Sequence, residues 1–172
     1  MGTFEDVITV DNKTYILSKI DNGLNSKIYA FISYNNKNGI FNGEVAFDFT
    51  SLNILELKNF VHGKNKLYFI PVVDGGQPLK NICMFYNINS KDGNNIDIDD
   101  SILGDNVINN SALYYDEKSN RIYLFGGELI SRDGVNKTAT KKIYILDLNE
   151  NKILPFDEEL SIERLEPSIS KP

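Results

Sequence analysis

The stretch Arg121-Ile-Tyr-Leu-Phe-Gly-Gly127 constrains this chain more than any other, with Lys142-Ile-Tyr-Ile-Leu-Asp147 starting fifteen residues after it. Each is a run of β-branched and aromatic residues, the kind of side chain that fits a pleated, half-buried surface. Their spacing reads as two neighbouring antiparallel strands joined by a long loop. The double glycine lets the first strand turn sharply and lets other backbone come close. Ser111-Ala-Leu-Tyr-Tyr-Asp116 and Lys152-Ile-Leu-Pro-Phe156 supply a strand on either side of the pair.

The same grammar recurs earlier in the chain. Lys27-Ile-Tyr-Ala-Phe-Ile32 precedes Glu44-Val-Ala-Phe-Asp-Phe49, and Lys66-Leu-Tyr-Phe-Ile70 precedes Asn81-Ile-Cys-Met-Phe-Tyr86. Each first member opens basic-aliphatic-Tyr, at Ile28-Tyr29, Leu67-Tyr68 and Ile122-Tyr123. Constant strand pairs with loops of varying length are the mark of a radial repeat. Thr14–Ser18 and Leu52–Leu57 are expected as the outer strands of the first repeat. Phe60-Val61-His62 is expected to lead the second. No helix is expected beyond a short terminal one or a loop at 157–166, and 92–110 reads as a long polar connection containing a short strand at Ile96–Ile98.

On these residues, above all 111–156, the chain resembles a kelch repeat, a four-stranded propeller blade. The resemblance implies an all-β fold, a partial kelch-like β-propeller of about three antiparallel blades, roughly 5–57, 58–100 and 111–158, with 159–172 a terminal segment. The Trp usual near the last strand of such a blade is missing; Asn53-Ile54 and Lys152-Ile153 stand there. Closed propellers have about four to eight blades. The chain is therefore expected to be a fragment or part of a larger propeller, completed by further blades of the same product, a partner or a second copy.

Composition narrows the function more by exclusion. A formal net charge of -6 and only three arginines give no basic surface for nucleic acid. No apolar run reaches the roughly 18 residues of a spanning helix, and no basic, apolar leader opens the chain, so membrane insertion by this segment is not expected. The expected compartment is cytoplasmic, with a secreted or cell-surface domain the alternative. Three Asn-x-Ser/Thr sequons do not favour the alternative, since a chain with 22 Asn yields that many by chance.

Chemistry-bearing residues are sparse. His62 is the only histidine and Cys83 the only cysteine, too few for a copper-oxidase centre and without a nucleophile–base pair in view. The acidic run Asp97–Asp105 fails as an EF-hand, because Ile102 and Ile108 occupy the places of its Gly and Glu. Gly126-Gly127 lacks the Lys-Ser/Thr and helix of a phosphate loop. Asp48 and Asp147 end strands, where Asp caps turns. No cofactor or metal is expected, and no enzymatic activity.

Function is expected in the loops between second and third strands, because variable loops on a rigid scaffold carry binding. Tyr34 and Phe41 offer aromatic anchors in the first loop; Arg132, Asp133 and Lys137 offer charge in the third. With all of them on one face, the chain is expected to bind a protein partner as an interaction or scaffolding module. Two alternatives remain open: a propeller enzyme acting on a sugar-like molecule with residues from other blades, and an extracellular domain of a membrane-anchored protein.

Overall fold

The computed structural model describes residues 2–21, 27–35, 37–42, 53–74 and 78–161. Among them the regular structure is β-strand, apart from one 3-10 turn at Ser101–Leu103. Among the described residues no helix is long and apolar enough to cross a membrane. Every pairing between two strands is antiparallel, as expected, and one isolated bridge, Asp99 to Lys152, is parallel. The expected strand Glu44–Phe49, with Asp48, and residues 162–172 of the expected terminal segment lie outside the described residues.

The chain begins with a four-stranded meander of β1 (Gly2–Val10), β2 (Lys13–Asp21), β3 (Lys27–Asn35) and β4 (Ile40–Asn42). A second group comprises β5 (Ile54–Glu56), β6 (Phe60–Gly63), β7 (Lys66–Phe69), β8 (Val72–Val73), β9 (Lys80–Asn87) and β10 (Gly93–Asp97). The third comprises β11 (Asn106–Asn109), β12 (Ala112–Asp116), β13 (Arg121–Phe125), β14 (Glu128–Ser131), β15 (Lys137–Ala139), β16 (Lys142–Asp147) and β17 (Lys152–Glu159).

Register shows how the shorter strands belong together. The pairing Asn106↔Ser131 to Asn109↔Glu128 resumes without a shift as Ala112↔Phe125 to Asp116↔Arg121. So β11 and β12 are halves of one strand, and β13 and β14 are halves of its partner, bent at Gly126-Gly127. In the second group Lys66↔Asn87 to Phe69↔Met84 likewise resumes as Val72↔Asn81 and Val73↔Lys80. Here the break falls at Ile70-Pro71, where proline has no N–H to donate to the ladder. All three groups are thus four-stranded antiparallel meanders, the second and third extended beyond a bend.

Their leading strands lie side by side in chain order, β1 next to β6 and β6 next to β12. Alternation along the strands of the second meander then buries one face against the first meander and the other against the third. One core cluster joins Ile8, Tyr15 and Leu17 to Phe60, Leu67, Phe69, Ile82 and Met84; a second joins Val61, Tyr68 and Cys83 to Tyr115, Ile122, Leu124, Tyr144 and Leu146.

Several expectations shift. Lys27–Asn35 is a third strand, and the second strand of the first meander is Lys13–Asp21, entered through the two-residue turn Asp11-Asn12 with Asp11 at φ 54°. The true repeat is Asn12-Lys-Thr-Tyr15, Asn65-Lys-Leu-Tyr68 and Asn120-Arg-Ile-Tyr123, which are 53 and 55 residues apart. Ile54–Glu56 pairs with β8 of the second meander, not with the first. Asp157–Glu159 continue β17 as strand, and the short strand expected at Ile96–Ile98 is β10, Gly93–Asp97, the outer strand of the second meander.

Candidate functional site

The loop between Gly127 and Lys142 is not loose. It folds into the hairpin β14–β15, carried out of the sheet by the bend at Gly126 (φ 59°) and Gly127 (φ 95°). A Cβ on Gly127 would lie 2.4 Å from the Asn109 carbonyl oxygen and 2.8 Å from the Ser111 nitrogen, so only glycine fits. The Ser111 hydroxyl donates to the Gly126 carbonyl at 2.8 Å, and the Asn59 side-chain amide donates to the Ser111 carbonyl at 2.9 Å. Asn81 acts as a short piece of strand: its Nδ2 donates to the Ile108 carbonyl at 2.7 Å, and its Oδ1 accepts from the Ile108 amide at 2.9 Å. At 1% exposure, those two bonds satisfy a buried amide that would otherwise be costly.

Arg132 anchors the hairpin. Its Nε donates to the Gly104 carbonyl and its Nη1 to the Leu79 carbonyl, both at 2.9 Å, while Nη2 meets Asp100 Oδ1 at 2.8 Å. Its own amide donates to the Asp105 carbonyl, and its carbonyl accepts from the Leu79 amide. The planar fork of the guanidinium reaches three segments at once, which a lysine ammonium does not match. The other oxygen of Asp100 accepts from the Asn81 amide at 3.1 Å. Arg132 is therefore engaged within the fold rather than held out toward a partner.

Beyond Arg132 the hairpin tip is exposed and ordered by its own bonds. Asp133 accepts from the Ser131 hydroxyl and from the Val135 amide, and Ser131 Oγ accepts from the Asn136 amide at 2.9 Å. The Ser131 hydroxyl, with the Val135 amide behind it, holds the Asp133 carboxyl below the usual range. Gly134 supplies the positive φ of 77°. Val135 stands 75% exposed between them, and Lys137, opposite Ile130 in the ladder, is exposed as well.

The expected residues fall into two places. Arg132, Asp133 and Lys137 share this hairpin. Tyr34 and Phe41 are cross-strand partners flanking the β3–β4 turn. In a meander that turn lies at the end opposite the second-to-third-strand connection. Clefts confirm that the ends align from one meander to the next. One cleft of about 480 Å³ is lined by Asp11, Lys13, Asn35, Lys37, Asn89 and Lys91, and another of about 610 Å³ by His62, Lys64, Asn65, Tyr115 and Glu117. All of these belong to the end away from the hairpin.

The carboxylates of the acidic run Asp97–Asp100 have structural partners. Asp97 meets Lys80 Nζ at 2.9 Å, Asp99 accepts from the Ser101 amide, and Asp100 serves Arg132. Among the described residues no three His, Cys, Asp or Glu side chains gather as a metal site would require. Burial raises the Cys83 thiol to about 12, which keeps it protonated at neutral pH. His62 lies within β6, with its Nε2 buried and without a hydrogen-bond partner. Asp147 caps the turn after β16, accepting from the Asn149 and Glu150 amides and from Arg121 Nε. Sequence reasoning missed Asn81, one asparagine among 22, and Val135, whose only signal is an apolar residue set between Gly134 and Asn136. No family model matches this chain, and neither does any curated protein.

Proposed function

We propose that the chain is a three-blade portion of a kelch-like propeller, serving as a binding or scaffolding module that takes a protein partner on the hairpin tip 133–137. The radial reading is supported by the recurrence of four-stranded meanders and by their leading strands β1, β6 and β12 standing side by side. The binding reading is carried by one observation. Val135, 75% exposed, sits on a hairpin locked to the scaffold through Arg132. A pre-ordered tip loses little entropy on association, so its few contacts count for more. Its chemistry, an aliphatic side chain between an aspartate and a lysine, suits a protein surface offering a small apolar depression with charges around it.

Affinity capture from the native host with three forms of the chain tests this. The wild type and a Lys37→Glu variant at the opposite end are expected to hold the same partner. A Val135→Asp, Lys137→Glu double variant is expected to lose it while keeping the wild-type circular dichroism. A partner retained by the double variant would overturn the assignment.

A further inference from the structure

Among the described residues, one face of the third meander has no neighbour. Ile122 and Leu124 point to the second meander and are 0% and 1% exposed, so the alternate residues Tyr123 and Phe125 point away. With them stand Tyr114 of β12, 49% exposed, and Phe156 of β17, 38% exposed. The rings touch one another: Tyr123 lies 6.3 Å from Tyr114, 6.2 Å from Phe125 and 5.8 Å from Phe156 between centroids. Among the described residues, the strands packed against this meander are on its other side.

The equivalent positions in the earlier meanders are covered. Tyr123 pairs with Tyr114, Tyr68 with Val61, and Tyr15 with Ile8, one relationship repeated three times. Tyr15 is 3% and Tyr68 6% exposed, each buried by the meander that follows. A face of the same construction at the third position lacks only its cover.

The cover it calls for is present at the other end of the chain. The second and third meanders receive their predecessors on Leu67 and Phe69, and on Ile122 and Leu124. The first meander has Thr14 and Ile16 at those two positions, both only half-buried, beside Val7 at 42% exposure. Within the chain, Ile8 meets the core around Phe60 at the first junction, and Val61 meets that around Leu113 at the second. The residues that continue this series are Tyr114 and Val7.

We propose that the outer face of the third meander, centred on Tyr114 and Tyr123, docks on the Val7–Ile16 face of the first meander of a second copy of this chain. Of the possible occupants, a second copy is the one that covers both open faces with a single kind of junction. If the radial reading above holds, two copies close a ring of six meanders, within the four to eight of closed propellers; if it does not, the same contact yields an open head-to-tail chain.

Light scattering on the whole chain is expected to give twice the chain's mass. Tyr114→Lys and Val7→Lys, on opposite faces and both at exposed positions, are each expected to halve that mass while leaving the circular dichroism unchanged. Lysine is chosen because it lowers the repulsion between copies of charge -6, so lost association reports the lost face. A Tyr114→Cys, Val7→Cys variant then separates the two ideas under oxidation, with buried Cys83 out of reach. Cross-linked dimers as the end product support both the docking and the ring. A ladder of longer oligomers supports the docking and contradicts the ring. A wild-type monomer, or a dimer untouched by either lysine, overturns the proposal.

Discussion

The ring of Tyr115 lies against Gly63, so closely that a Cβ on the glycine would sit 2.5 Å from Tyr115 Cγ. Tyr115 also stacks on Tyr68 at 5.7 Å, and its hydroxyl donates to Asn120 Oδ1 at 2.9 Å. The ring is held from both sides and has little room to yield. Gly63→Ala is expected to destabilise the chain by about 1–3 kcal/mol through overpacking. Chemical denaturation measures the loss, and Tyr115→Leu in the same chain should recover part of it.

Removing the Arg132 fork is expected to loosen the hairpin and the junction beneath it together. Arg132→Met removes the donor from the Leu79 and Gly104 carbonyls and from Oδ1 of Asp100, at a cost of roughly 2–4 kcal/mol for three charged hydrogen bonds, two of them partly buried. Arg132→Lys should restore only a fraction of this, because an ammonium does not span the three acceptors. Hydrogen exchange should show protection lost first in β14 and β15. Unchanged protection there would remove Arg132 from its anchoring role.

Two glycines with positive φ should respond differently to alanine. At Gly134 the nearest atom to an added Cβ is Leu79 Cδ1 at 3.7 Å, so only the backbone conformation resists, by about 1–2 kcal/mol. At Gly127 the same strain adds to a collision with backbone at 2.4 Å. Thermal melts should rank Gly127→Ala well below Gly134→Ala.

Acid should expose the role of Asp147. Burial pushes its carboxyl up, but the Asn149 and Glu150 amides and the Arg121 guanidinium outweigh burial and hold it below the usual range. A carboxyl depressed in the folded state stabilises fully above its unfolded value of about 3.9 and loses that contribution as pH falls through the folded value. Asp147→Asn is therefore expected to lower stability at neutral pH and to flatten its decline below about pH 4. Denaturation midpoints at a series of pH values would show this; an acid limb as steep as wild type would contradict it.

How far the fold can be read from the sequence depends on which interactions specify each part. The strands at 112–116, 121–125, 142–147 and 152–156 are legible because alternating β-branched and aromatic residues meet glycine or Asp at their ends. Gly93–Asp97 is legible only at its end, where a strand is expected from Ile96, since the rest reads Gly-Asn-Asn and is held by its pairing with β9 rather than by apolar alternation. The first repeat misleads because Lys27-Ile-Tyr29 fits the basic-aliphatic-Tyr pattern while Lys13-Thr-Tyr15 puts a threonine at its aliphatic place; pairing with β1 decides between them. Arg132 looks like a loop charge because two of its acceptors, the Leu79 and Gly104 carbonyls, are backbone atoms that carry no sequence signature. The tip residues Asp133 and Lys137 were visible, while Val135 beside them was not.

Three meanders share one register, with Tyr15, Tyr68 and Tyr123 at equivalent positions and leading strands side by side. Cross-strand nuclear Overhauser effects on isotope-labelled chain test this arrangement most directly. Backbone contacts are expected to link Tyr15 to Ile8 and Ser33, Tyr68 to Val61 and Phe85, and Tyr123 to Tyr114 and Ile145. The Phe60 amide is also expected close to the Asp6 side chain, which bond at 3.1 Å across the first junction. Contacts that instead put Tyr29 in the second strand of the first meander, or no contact between Asp6 and Phe60, would contradict this arrangement.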